Sequence, residues 1–206
     1  MGMLTGTVEI RGTRPFFFHA ADPEFTMPLE KQERAGVAGN NPDEWWQKRT
    51  FKVLPDGRLW VPADYALSTT AAGAAFTKKG KISYRDDVRG CVQIIEDKLI
   101  FDRLFPGKDE LTKITDPAEP VYLDVRMAVN PSTKKKMVVR RVALAPGWTL
   151  AWSLEWEATV IDRHLMKTFL ADAGRFSGIG NGRKIGMGRF EVVSFEIKEE
   201  IEKKAA

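Results

Sequence analysis

One stretch of this 206-residue chain, residues 177–190, constrains the fold more than any other. It combines five glycines with three cations and holds no acidic residue. Glycine lets the backbone adopt positive φ angles and approach other backbone closely, and successive N–H groups in such loops surround anions. Arginine guanidinium groups match phosphate oxygens. We therefore predict a phosphate-binding loop. Its candidate residues are Gly178, Gly180, Gly182, Arg183, Lys184, Gly186, Gly188 and Arg189.

Two common glycine-rich motifs do not fit this stretch. A dinucleotide-binding fingerprint follows a strand and opens a helix, whereas this stretch follows a helical pattern and runs into a strand. The third glycine of that fingerprint would also fall at Arg183. A Walker loop requires Gly-Lys followed by Ser or Thr, which the sequence lacks. A glycine-rich linker or hairpin without a ligand remains the alternative.

The segments around the stretch predict a strand, a helix, the loop and a second strand in that order. Residues 148–160 alternate apolar and polar side chains, as a half-buried strand does. Residues 161–174 have one apolar face at helical spacing, with Asp162 as N-cap and Gly174 as left-handed C-cap. Residues 190–197 read as the last strand. This order is half of a ferredoxin-like fold.

The helix ending at Gly174, the pattern Gly-x-Gly-x-Gly-Arg-Lys-x-Gly-x-Gly-Arg-Phe and the final strand resemble the RAMP superfamily of CRISPR-associated RNA-binding proteins. The resemblance covers about residues 145–197 and looks most like the repeating backbone subunit of CRISPR effector complexes. It implies an α+β fold with a ferredoxin-like (RRM-like) core and a protruding β-hairpin thumb. It also implies guide RNA, other effector subunits, stacked copies of the same chain and a target nucleic acid as partners.

The positive charge is concentrated in two segments, although the net charge of the chain is only +4. Residues 126–141 carry six cations and residues 174–190 carry four, and neither segment holds an acid. The remaining chain is therefore acidic overall. Such a distribution is typical of a protein with a path for a polyanion.

The first basic segment is predicted to be the tip of a β-hairpin over about residues 120–144. Residues 120–129 and 137–144 alternate in strand fashion around a turn that begins at Asn130-Pro131. The hairpin is comparable to the thumb that the resemblance implies. A solubilising turn with protective lysines is the alternative. The candidate RNA-binding residues here are Lys134, Lys135, Lys136, Arg140 and Arg141.

The rest of the chain is expected to complete a single domain over residues 1–206. The pattern predicts strands at 4–11 and 87–95, a hairpin around Asp56-Gly57 and a helix over 64–78. Residues 20–48 read as an irregular insertion and residues 97–119 as loop.

We expect a binding subunit and not an enzyme, with no cofactor and no metal, since no cluster has metal-ligand spacing. A guide-RNA processing ribonuclease of the same superfamily is one alternative, with His19 or His164 as candidate catalyst. A structural protein of a phage or mobile element is another. The single Cys91 fits a reducing, cytoplasmic compartment, and no apolar run is long enough to span a membrane.

Overall fold

The computed structural model describes residues 2–18, 51–129, 134 and 136–199. This part of the chain is a mixed α+β fold with four α-helices and several antiparallel sheets. None of its helices has the length and apolar character needed to cross a bilayer. The predicted insertion at residues 20–48 lies outside the described residues, as do His19 and Lys135.

Twelve strands and four helices follow one another along the described chain. The strands are β1 (Met3–Gly12), β2 (Phe16–Phe17), β3 (Lys52–Val53), β4 (Arg58–Pro62), β5 (Lys78–Lys79), β6 (Ile82–Ser83), β7 (Val92–Ile94), β8 (Lys98–Leu104), β9 (Val121–Val129), β10 (Lys136–Leu144), β11 (Thr149–Glu157) and β12 (Phe190–Glu199). The helices are α1 (Asp64–Ala74), α2 (Arg85–Cys91), α3 (Lys108–Leu111) and α4 (Arg163–Asp172).

The largest sheet has four strands in the order β12-β1-β11-β7. β1 is central and pairs antiparallel with β11 on one side and β12 on the other, with Val8 opposite Trp152. Alternate side chains of β1 and β11 are buried, as the period-two pattern predicts. The predicted first, penultimate and last strands are therefore confirmed.

Helices α1 and α4 pack against each other and share one hydrophobic core with the four-stranded sheet. Their contact is close at Gly73, where an added Cβ would lie 2.0 Å from the carbonyl oxygen of Phe169. The predicted N-cap of α4 is confirmed, since Asp162 Oδ1 accepts a hydrogen bond of 2.8 Å from the Leu165 N–H. Helix α1 ends at Ala74, four residues earlier than predicted.

The predicted left-handed cap at Gly174 is wrong. Helix α4 continues into a π-helical turn, Ala173–Ser177, and the positive φ of 81° occurs at Gly178. The Gly178 N–H donates to the Ala173 carbonyl at 2.6 Å and closes that turn. Gly174 serves packing instead, since an added Cβ would lie 2.3 Å from the Phe190 carbonyl oxygen.

Two further predictions fail between residues 85 and 119. The expected strand at 87–95 is mostly helix α2, and only β7 follows it in the sheet. The expected loop at 97–119 contains β8, which pairs with β4 in a three-stranded sheet, and the short helix α3. β8 does carry the strand signal, since Leu99 and Phe101 are buried on one face.

The predicted hairpins at Asp56-Gly57 and at the basic segment are confirmed as paired strands. β3 pairs with β4, and Gly57 in their turn has a φ of 87°. β9 pairs with β10 from Val121 opposite Leu144 to Val129 opposite Lys136. We call β9 and β10 the basic hairpin. The short strand β2 adds to the base of this hairpin, with Phe17 opposite Ala143.

Candidate nucleic-acid interface

The backbone conformation of the glycine loop, residues 178–189, depends on its glycines. All five glycines have positive φ angles, between 67° and 83°. An added Cβ would lie 1.8 Å from the Ile179 carbonyl oxygen at Gly188, and 2.6 Å from the Phe16 ring at Gly180. At these two positions there is no room for any residue other than glycine. The loop is therefore a packed element and not a free linker.

The glycine loop is held against the segment between β1 and β2. The Gly188 N–H donates to the Pro15 carbonyl at 2.8 Å, and the Asn181 N–H donates to the Phe17 carbonyl at 3.0 Å. In return, the Thr13 N–H donates to the Arg189 carbonyl at 2.8 Å. Ile179, between these contacts, is fully buried in the core.

Most main-chain N–H groups of the glycine loop donate to acceptors within the protein. The Gly182 N–H uses the side-chain Oδ1 of Asn181 at 2.7 Å, and the others use backbone carbonyls. A phosphate would therefore contact mainly side chains here, since a donor already bonded is not available to a ligand. The internally bonded donors are Gly178, Ile179, Asn181, Gly182, Ile185, Gly186, Met187 and Gly188.

The cations of the glycine loop differ in their exposure. Arg183 and Lys184 lie on a 3₁₀ turn, Arg183–Ile185, and both are exposed. Within the described part of the chain, neither of them has an ion-pair partner within 4 Å. Arg189 is half-buried, and its Nη1 is buried without a hydrogen-bond partner among the described residues. Arg183 and Lys184 are thus the two loop cations that face solvent most openly.

The cations of the basic hairpin also fall into two groups. Lys134 and Lys136 are exposed near the turn, and Lys134 has a φ of 57°. Arg140 and Arg141 are half-buried further along β10. Of these four described cations, only Lys134 and Lys136 are fully exposed.

Phe17 on β2 joins the glycine loop to the basic hairpin. The guanidinium carbons of Arg126 and Arg141 lie 5.0 Å and 5.8 Å from the centre of its ring, within cation–π distance. From the glycine loop, a Cβ added at Gly182 would lie 3.1 Å from the same ring. Two basic segments that are far apart in sequence therefore meet at one buried aromatic ring.

Asp124 is the residue at this junction that the sequence analysis did not single out. It is only 6% exposed, and its Oδ1 accepts a bond of 2.7 Å from Arg126 Nε. It also lies opposite Arg141 in the strand register. Burial lowers the pKa of Arg141, Asp124 opposes this shift and Arg126 adds to it. Asp124 lies two residues before Arg126, where the acid-free segment begins. The acid that compensates the two arginines is therefore outside the segment whose composition drew attention.

We expect Asp124→Asn to lower stability and to strengthen polyanion binding. The variant leaves Arg126 and Arg141 without a buried counter-charge, which costs about 1–3 kcal/mol after allowing for the 39% exposure of the Arg126 side chain. It also adds one net positive charge to the junction. Urea denaturation measures the first effect and RNA binding the second.

Glu110→Gln is the matched control, because its pair with Lys113 at 3.2 Å is exposed on both sides. We expect a change in unfolding free energy below about 0.5 kcal/mol for this control. Equal effects of the two variants would show that Asp124 does not compensate the two arginines.

Comparison with known proteins gives a structural match only. No family model matches the sequence, and no curated protein matches it. The fold is similar to that of a chain in the cryo-EM structure of the Type III-B Cmr-beta bound to cognate target RNA. The TM-score is 0.50 at 11% identity, over 96% of this chain and 61% of that chain. The chain thus spans less than two thirds of its structural neighbour, and the likeness concerns the fold.

Proposed function

We propose that this protein is an RNA-binding subunit of a CRISPR effector complex, and that it holds guide RNA through its phosphates. The observation that carries the proposal is the meeting of the basic hairpin and the glycine loop at Phe17, together with the exposure of Arg183 and Lys184 in that loop. Phosphate contacts of this kind position a strand without reading its sequence. The structural neighbour, a chain in a structure of the Type III-B Cmr-beta bound to cognate target RNA, supports the same class of function.

We also propose a ferredoxin-like core of the RAMP type. The strand order β12-β1-β11-β7 supports it, because the fourth strand lies beside the first and the third beside the second. Helix α1 lies between the first two of these strands in sequence, and α4 lies between the last two. The C-terminal part also has the strand–helix–loop–strand order on which the resemblance to the RAMP superfamily is based.

Assembly with other effector subunits and with further copies of this chain is part of the proposal. The far end of the basic hairpin supports it, because one face carries exposed apolar side chains. These side chains are Val125, Met127, Val129 and Val138, each 48–65% exposed. Exposed apolar surface of this kind is typical of interaction sites. The size and composition of the complex recovered from its native host test this step.

Removal of the two exposed loop cations tests RNA binding. We expect Arg183→Ala with Lys184→Ala to weaken binding of a labelled single-stranded RNA about 10–100-fold at low salt. The slope of log K against log salt should fall by about 1.4, since each phosphate contact contributes about 0.7 for single strands. Fluorescence anisotropy over a salt series measures both quantities.

The control removes two cations from other elements, Arg58→Ala on β4 with Arg89→Ala on α2. Each is exposed and already paired with an aspartate, at 2.7 Å and 3.3 Å. An equal loss in both double variants would indicate a general charge effect, and no loss in the loop variant would refute the proposal. Gel analysis of the same samples checks the ribonuclease alternative, since we propose binding without cleavage.

A further inference from the structure

A small polar cavity lies where helix α1 faces the glycine loop. The first two turns of α1 provide one wall and the loop provides the other, around a volume of about 250 Å³. This is just below the range of about 300–1,000 Å³ that is common for small-molecule sites. The side chains that matter for its chemistry are Asp64, Tyr65, Ser68, Asn181 and Arg183.

The cavity carries both an acid and a base on its walls. Asp64 and Arg183 are exposed, and both act electrostatically on the half-buried phenol of Tyr65. Burial raises the pKa of Tyr65, Asp64 raises it further, and Arg183 lowers it. Arg183 thus belongs at once to the solvent-facing cations of the loop and to the cavity wall.

A phosphate does not fit beside Asp64, because two negative charges at close range repel each other. A carboxylate is an acceptor only, so the group that it faces must donate a hydrogen bond. The Oδ1 of Asn181 accepts one hydrogen bond from the Gly182 N–H at 2.7 Å, so the side-chain amide can still offer its NH₂ donors and a second lone pair of Oδ1. The lining therefore suits a neutral group that carries both donors and acceptors.

The wall formed by the glycine loop is packed from behind. Gly180 has a φ of 83°, and an added Cβ would lie 2.6 Å from the Phe16 ring, which is fully buried. Behind it, the Asn181 N–H is fixed to the Phe17 carbonyl.

We propose that this cavity binds one nucleoside of the strand whose phosphates contact the glycine loop, and that Asp64 accepts a hydrogen bond from it. The inference rests on the proposed function and adds a contact to the nucleoside itself. Arg183 then lies between the phosphate and the nucleoside of one nucleotide. The donor is either the ribose 2′-hydroxyl, which distinguishes RNA from DNA, or an exocyclic amino group of a base.

The test compares wild type, Asp64→Ala and Asp64→Asn on labelled oligo(rU), oligo(dU) and oligo(rC). For a 2′-hydroxyl, we expect wild type to prefer oligo(rU) to oligo(dU), and Asp64→Ala to reduce this preference at least about 5-fold. For an amino donor, Asp64→Ala should weaken oligo(rC) relative to oligo(rU) by a similar factor. Asp64→Asn, which keeps a neutral acceptor, should fall between wild type and Asp64→Ala, because charged acceptors bind donors more strongly.

If removal of the Asp64 charge were the only effect, the affinity for the oligonucleotides would rise and not fall. If Asp64 acts only as a negative charge near the path, both variants strengthen binding of all three oligonucleotides equally, and the inference is overturned. Asp86→Ala on α2, another exposed acid, controls for net charge. Thermal melting by circular dichroism confirms that each variant is folded.

The two proposals fail in different ways. If the variants at Arg183 and Lys184 lose RNA affinity while those at Asp64 leave every preference unchanged, only the nucleoside cavity is refuted. If wild type binds none of the oligonucleotides, both proposals are refuted.

Discussion

Gly188→Ala is expected to lower the free energy of unfolding by about 3–5 kcal/mol, a large effect for one methyl group. The φ of 67° at this position alone costs a residue with a Cβ about 1–2 kcal/mol. In addition, the new Cβ would lie 1.8 Å from the Ile179 carbonyl oxygen, so the backbone must move. The movement separates the Ile179 N–H from the Gly188 carbonyl, which are now 2.9 Å apart, and disturbs the buried Ile179 side chain.

Gly186→Ala is the matched control in the same loop. Its φ of 82° carries the same conformational cost, but among the described residues no atom outside its chain neighbours lies within 4 Å of an added Cβ. We expect a loss of about 1–2 kcal/mol for this control. Circular dichroism melting curves compare the two, and a loss of 3–5 kcal/mol corresponds to roughly 6–20 °C in a chain of this size.

Equal melting temperatures for the two glycine variants would show that the loop is not packed as described. If Gly188→Ala does not fold at all, Gly178→Ala serves instead. An added Cβ there would lie 2.7 Å from the Met187 carbonyl oxygen, a milder collision. Its stability is then expected to fall below that of Gly186→Ala.

The sequence correctly predicts the elements that show a long regular pattern of apolar and polar residues or a clear cap. β1 and β11 alternate over nine or more residues, and α4 has both a polar cap and an apolar face. β7 has only three residues, and the burial of β7 and β8 depends on partners elsewhere in the chain. Helix α2 is mostly polar, with only Val88 buried, and it runs directly into β7, so the sequence pattern does not mark where the helix ends and the strand begins.

In the candidate site, too, some features can be seen in the local sequence and others depend on tertiary contacts. The glycines and cations of residues 178–189 stand out in the sequence, and so does the basic hairpin. Their meeting at Phe17 does not, because it depends on contacts between residues more than 100 positions apart, such as that of Phe17 with Asn181. For the same reason, the sequence does not tell that most loop N–H groups are already bonded. Local patterns identify the groups, and tertiary contacts decide which of them face solvent.

Trp148→Ala is expected to cost about 3–5 kcal/mol, as removal of a fully buried tryptophan usually does. The indole packs against Phe16 and Phe101, with ring centres 5.6 Å and 5.9 Å away. Its Nε1–H donates to the Arg14 carbonyl at 2.9 Å. The same segment supports the glycine loop, because the Thr13 and Arg14 N–H groups donate to the Arg189 carbonyl. Loss of Trp148 should therefore weaken the loop as well as the core.

Two other variants separate these contributions. Trp148→Phe keeps an aromatic ring but loses the hydrogen bond to Arg14, and we expect a loss of about 1–2 kcal/mol. Trp60→Ala removes a half-buried tryptophan from β4, where it contacts Lys52 and Lys98 at 5.2 Å and 4.9 Å, and should cost about 1 kcal/mol. RNA affinity, measured well below every melting temperature, should fall in Trp148→Ala and stay unchanged in Trp60→Ala. Equal stability of these two variants, or unchanged RNA affinity in Trp148→Ala, would contradict the role of Trp148 as a support of the glycine loop.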